Sequence, residues 1–99
     1  MTTKVEIDFR LNAGEGQGFY ENLNFPGLNA LVLVRNQGCS NVLLVITRYD
    51  APTVNFEVLA NTEFAVELSN IQTIGILNNG GKPAKGDITL IPNFSQSNL

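Results

Sequence analysis

Lys4-Val5-Glu6-Ile7-Asp8-Phe9-Arg10-Leu11 alternates charge and hydrophobe at every step. Val5, Ile7, Phe9 and Leu11 fall on one face, and Lys4, Glu6, Asp8 and Arg10 on the other. A period of two over eight residues is the signature of a half-buried β-strand.

Residues 12–18, Asn-Ala-Gly-Glu-Gly-Gln-Gly, follow with glycines at positions 14, 16 and 18, the composition of a flexible connector. A short run, residues 19–25, then meets Pro26-Gly27, the central pair a type II turn favours. Residues 28–35 and 41–49 are rich in Val, Leu and Ile with few polar interruptions, as in strands covered on both faces. The loop Asn36-Gln37-Gly38-Cys39-Ser40 divides them. After Asp50-Ala51-Pro52 the alternation returns: Val54, Phe56 and Val58 inward against Asn55 and Glu57, then Phe64, Val66 and Leu68 against Glu63 and Glu67. Residues 71–77 form a further strand in which Gly75 marks a bulge or a close backbone approach. Asn78-Asn79-Gly80-Gly81 signals a turn, residues 87–91 the last strand, and residues 93–99 a polar tail.

No apolar stripe recurs at helical spacing, and turns arrive every 8 to 12 residues or so, the rhythm of a sandwich or barrel. The expected architecture is one all-β domain: about eight strands in a two-sheet antiparallel sandwich, jelly-roll-like or immunoglobulin-like in its connections. In this reading residues 1–18 are an N-terminal connector arm and glycine-rich hinge, and residues 19–99 the sandwich domain. The amphipathic stretch on a glycine tether has the shape used in donor-strand docking, with Val5, Ile7, Phe9 and Leu11 as the subunit interface and Gly14, Gly16 and Gly18 as the hinge. An ordinary first strand followed by a loop is the other reading.

Composition narrows function further. The 99 residues carry 6 basic and 9 acidic side chains, a net charge of -3, with no His or Trp and one cysteine, Cys39. The basic residues are scattered, which argues against nucleic acid as a partner. One Cys and no His leave no ligand set for a zinc site and no internal disulfide, so no cofactor or metal is expected. No long apolar run suggests membrane insertion or a conventional signal peptide. Enzymatic activity is not expected: Glu63 and Glu67, four residues apart on one strand face, stand roughly 13 Å from each other, too far for paired-carboxylate catalysis. Cys39 reads as an inert thiol or as half of an intermolecular disulfide. Phe19, Tyr20 and Phe25, interleaved with Asn22 and Asn24, read as core packing or as a carbohydrate-binding set.

Three stretches carry a resemblance to a known family. Ala30-Leu31-Val32-Leu33-Val34, residues 61–66 leading into Ile71-Gln72-Thr73-Ile74-Gly75-Ile76, and Gly86-Asp87-Ile88-Thr89-Leu90 resemble the subunits of bacterial endospore appendages. That resemblance implies a helix-free jelly roll whose N-terminal connector reaches into neighbouring subunits. It also implies a self-assembling fibre on the spore or cell surface, a homo-oligomer with an anchoring or tip protein as further partner. Residues 1–18 lack the cysteines that the best-known members carry in their connector, so strand pairing and packing would hold such a fibre. A carbohydrate- or surface-binding module and a phage or viral jelly-roll structural protein are the alternatives.

Overall fold

The computed structural model describes residues 4–92. They form seven strands, β1 (Val5–Leu11), β2 (Gly16–Glu21), β3 (Leu28–Asn36), β4 (Val42–Arg48), β5 (Ala51–Val58), β6 (Thr62–Leu77) and β7 (Ala84–Pro92), all paired antiparallel. The sixteen-residue β6 absorbs two of the expected strands. Its residues 62–68 lie along β3, and its residues 71–77 lie between β2 and β4. The reversal falls at Asn70, whose φ of 62° is one that asparagine tolerates better than most residues. Hydrogen bonding therefore runs unbroken through all the strands, yet the layers are two: β1-β7-β3-β6 on one side and β2-β6-β4-β5 on the other. With β6 counted in both, this is the connectivity of a jelly roll rather than an immunoglobulin sandwich.

One core fills the space between the sheets. Phe9 and Leu11 of β1, Ala30, Val32 and Val34 of β3, Val42, Leu44 and Ile46 of β4, Ile71, Ile74 and Ile76 of β6, and Ile88 and Leu90 of β7 are all buried in a single cluster. They are the alternate residues of their strands, which is why the period of two was legible in sequence, save that a register shift between Ile71 and Thr73 sets Ile71 and Ile74 three apart. The outward residues of β3 and β4 differ from expectation. Leu31, Leu33, Leu43 and Val45 are half-exposed, because a two-layer domain has nothing to cover its outer faces.

Residues 12–18 divide between a loop and a strand: Gly16 and Gly18 lie within β2, opposite Leu77 and Gly75 of β6, and the loop proper is residues 12–15. Gly14 alone keeps the turn role, at a φ of 81°. That loop is tied in place, since the Gly14 N–H donates to Asn78 O at 2.7 Å and the Asn78 N–H to Glu15 O at 2.8 Å. The arm, in turn, is strand β1 of this chain's own sheet, in register with β7 from Val5↔Leu90 to Leu11↔Ala84. Its first residues, Thr2 and Thr3, and the tail at 93–99 lie outside the described residues.

Gly86 shows why β1 packs so closely there. A Cβ at this position would collide with the Arg35 carbonyl oxygen and come within 2.8 Å of the Phe9 ring. The missing side chain is the space that Phe9 occupies.

Candidate assembly interface

Pairing among the described residues leaves four strand edges open. β1 pairs only with β7, β2 only with β6, β5 only with β4, and residues 62–68 of β6 only with β3. Each presents a row of unpaired main-chain N–H and C=O groups, which is the template for adding a strand from another molecule. Charged outward side chains interrupt the row on β1 (Glu6, Asp8, Arg10) and on β6 (Glu63, Glu67), and Pro52 interrupts it on β5.

Loops gather at the two ends of the sandwich. One end holds the β1–β2, β3–β4, β5–β6 and β6–β7 connections; the other holds β2–β3, β4–β5, the Asn70 reversal, Lys4 and Pro92.

Asn78 organises the four-loop end. It is fully buried, its Nδ2 donates to the carbonyl oxygens of Lys82 (2.7 Å), Asn12 (3.1 Å) and Leu11 (3.3 Å), and its Oδ1 accepts from Ser40 Oγ (2.8 Å) and Gly80 N–H (3.1 Å). Asn36 does similar work nearby, donating to Ser40 O and Val58 O and accepting from Gly38 N–H. Sequence reasoning saw Asn78 only as a turn former. Its place just after the inward-outward alternation of residues 71–77 was the available signal that the side chain turns inward.

The opposite end carries exposed apolar side chains on a pinned loop. Leu23 is 77% exposed and Phe25 64%. The loop that holds them is fixed by Asn22 N–H to Gln72 O (2.7 Å), Tyr49 Oη to Asn22 O (2.7 Å), Asn24 N–H to Asn22 Oδ1 (2.8 Å), and Asn70 Nδ2 to Pro26 O (3.1 Å). Its tight turn is closed by Gly27 N–H to Asn24 O (2.8 Å), so Phe25-Pro26 forms the central pair rather than Pro26-Gly27. Gly27 takes a φ of 94°, and a Cβ there would lie 2.6 Å from Ile71 O. The three aromatics do not make one sugar platform: Phe19 and Tyr20 pack on the core, Phe19 against Phe9, while the Phe25 ring meets Tyr49 edge-on at 5.5 Å.

The remaining chemistry-bearing residues are placed as follows. Glu63 and Glu67 lie on the outer face of the first sheet, opposite Arg35 and Leu31 of β3. Arg35 makes the one ion pair among the described residues, 2.7 Å from Asp87, and its hydrogen bond to that carboxylate raises the guanidinium above its ordinary pKa. Cys39 is exposed in the β3–β4 loop. Between like chains, only a Cys39–Cys39 bond is open to this thiol. Cys39→Ser is expected to leave the size distribution of the protein unchanged on non-reducing gels and in sedimentation; a shift to smaller species would make that loop a covalent joint.

These features define a two-sheet jelly-roll domain with open edges and two chemically different ends. Among solved structures the chain is similar to one from Bacillus endospore appendages, described as a novel family of disulfide-linked pili. The TM-score is 0.70 and the identity 17%, over 96% of this chain and 88% of that one. It is also similar to a crystal structure of PirA, with a TM-score of 0.63 and 16% identity over 89% of this chain and 93% of that one. At such identities the likeness is one of fold. No protein-family model matches the chain, and no curated protein does.

Proposed function

We propose that this protein is the self-assembling structural subunit of a proteinaceous surface fibre, and that β1 is a segment through which copies engage. The observation that carries the reading is the set of four open strand edges on a fold similar to that of an appendage pilus subunit. Open edges are a hazard in a monomer and a means of joining in a polymer.

Docking of the N-terminal strand takes a definite form in this fold. β1 leaves the β7 of its own chain and pairs in the same register with the β7 of a neighbour, with Phe9 and Leu11 rebuilding the same core across two copies, Ile7 half-buried beside them and Val5 exposed. In support, β1 is the first strand in the described chain, pairs on one side only, and is joined to β2 by the short loop at residues 12–15. Gly14 would serve as the hinge. A spore- or cell-surface location and an anchoring or tip partner belong to the same proposal, as does the absence of catalytic turnover.

Cross-linking tests it. Glu6 and Thr89 are register partners on the outer side of β1 and β7, so Glu6→Cys/Thr89→Cys in a Cys39→Ser background places two thiols across that seam. Treated with a short thiol cross-linker after assembly, exchanged copies are expected to give a covalent ladder on denaturing gels. A monomer band from intact fibres would show that each copy keeps its own β1 and would remove the exchange alone. A wild-type protein that stays monomeric at every concentration would remove the fibre reading.

A further inference from the structure

The cation pair at the four-loop end stands out against the rest of the surface. Arg10 and Lys85 are direct register partners across β1 and β7, both exposed, and neither pairs with a carboxylate among the described residues. Like charges placed opposite each other on a sheet oppose the pairing of their strands. They flank a hollow of about 230 Å³ lined also by Leu11, Asn12, Gly38, Pro83 and Ala84, with exposed Pro83 and the aliphatic stems of the two cations as its main apolar surface. An apolar hollow between two cations suits an aromatic ring, which offers its electron-rich face to an ammonium or guanidinium group, together with nearby acid.

The other end of the same chain presents those groups. Phe25 and Leu23 project from the pinned loop at residues 22–27, with Glu21 just before it and Asp50 beside Tyr49, the ring against which Phe25 rests. The hydrogen bonds that hold this loop mean that its apolar side chains are presented in one arrangement, so little ordering entropy is lost on docking.

We infer that this loop is a plug that docks into the Arg10–Lys85 hollow at the opposite end of a second copy of the chain. The inference rests on the self-assembly reading and is independent of whether β1 is exchanged. Loop-to-loop pairing about a two-fold axis would set Glu21 and Asp50 against themselves, whereas the hollow is lined by cations and no acid. Plug and hollow are different surfaces at opposite ends, so their contact is heterologous and leaves a free plug and a free hollow on every file of copies. Growth is then open-ended, as a fibre requires.

The chain has no tryptophan, so Phe25→Trp is a unique reporter. Its emission is expected to shift to the blue as protein concentration rises and to stay unshifted when Arg10→Glu/Lys85→Glu is added. In separate chains, Leu23→Ser/Phe25→Ser removes the plug and Arg10→Glu/Lys85→Glu reverses the hollow. Leu23, Phe25, Arg10 and Lys85 are all exposed, and circular dichroism checks the fold of each variant. Each variant alone is expected to self-associate at least tenfold more weakly than wild type. Mixed one to one, the hollow of the first accepts the plug of the second, giving a mixed complex in sedimentation that neither variant forms alone. Variants that assemble as well as wild type, or a tryptophan with no concentration-dependent shift, would overturn the docking and leave the fibre reading standing; a monomeric wild type would remove both.

Discussion

Replacing Asn78 with leucine is expected to lower the thermal midpoint by roughly 20 °C or more, an unusually large effect for a residue in a turn. The side chain is fully buried and makes five hydrogen bonds that tie three loops together. Leucine has the same branched skeleton, but its methyls neither donate nor accept and are too bulky for partners at hydrogen-bond distance, so lost polar pairing and crowding act together. The substitution takes the side-chain partner from the Leu11 and Lys82 carbonyls and the Gly80 N–H, while Asn12 O keeps the Glu15 N–H and Ser40 Oγ keeps Asn41 O. Each unsatisfied buried group costs about 1–3 kcal/mol. With some of them relaxing toward solvent, a net loss of about 4 kcal/mol is expected, a large share of the stability of a domain this small. The neighbouring Asn79→Ala, on an exposed side chain, should change stability by about 0.5 kcal/mol or less. Thermal melts of the two variants make the comparison, and equal midpoints would show that the Asn78 network adds nothing.

Deleting residues 2–11 is expected to abolish cooperative folding of the chain, and a synthetic peptide of those residues to restore it. The truncation removes Phe9 and Leu11, each 2% exposed, at about 1.5–3 kcal/mol of burial apiece. It also strips the seven register positions along β7 and opens the core beneath them. Sequence alone pointed the other way, to a folded body without its arm. A shortened chain that melts cooperatively on its own would return β1 to the role of a dispensable connector. Rescue by the free peptide would show that the slot along β7 accepts a strand in trans, the chemistry that exchange between copies requires. An Ile7→Asp peptide should rescue less well, since Ile7 faces the same side as Phe9 and Leu11.

Several residues show where sequence reading reached and where it stopped. Strand positions followed from alternation because a sheet's two faces lie in different surroundings, and that difference is written locally. The inward set Val54, Phe56 and Val58 on β5, like Val32 and Val34 on β3, needed no partner to be recognised. Glycine's freedom is legible in sequence, but whether it is used depends on the neighbour. A Cβ at Gly75 would sit 3.1 Å from Gln17 O and one at Gly16 3.2 Å from Leu77 Cδ1, whereas one at Gly18 would meet nothing within 4 Å.

The sequence by itself determined the all-β class and nearly every strand, since these follow from residue type and short-range period. Only the tertiary structure decided that residues 62–77 cross from one sheet to the other, that β1 closes the first sheet on β7, and that Asn78 anchors three loops. The same holds for the position of the Phe25 loop and the Arg10–Lys85 hollow at opposite ends. These depend on which strands lie side by side, and the free energies that choose among antiparallel pairings come from contacts between residues far apart in the chain, which no local pattern records.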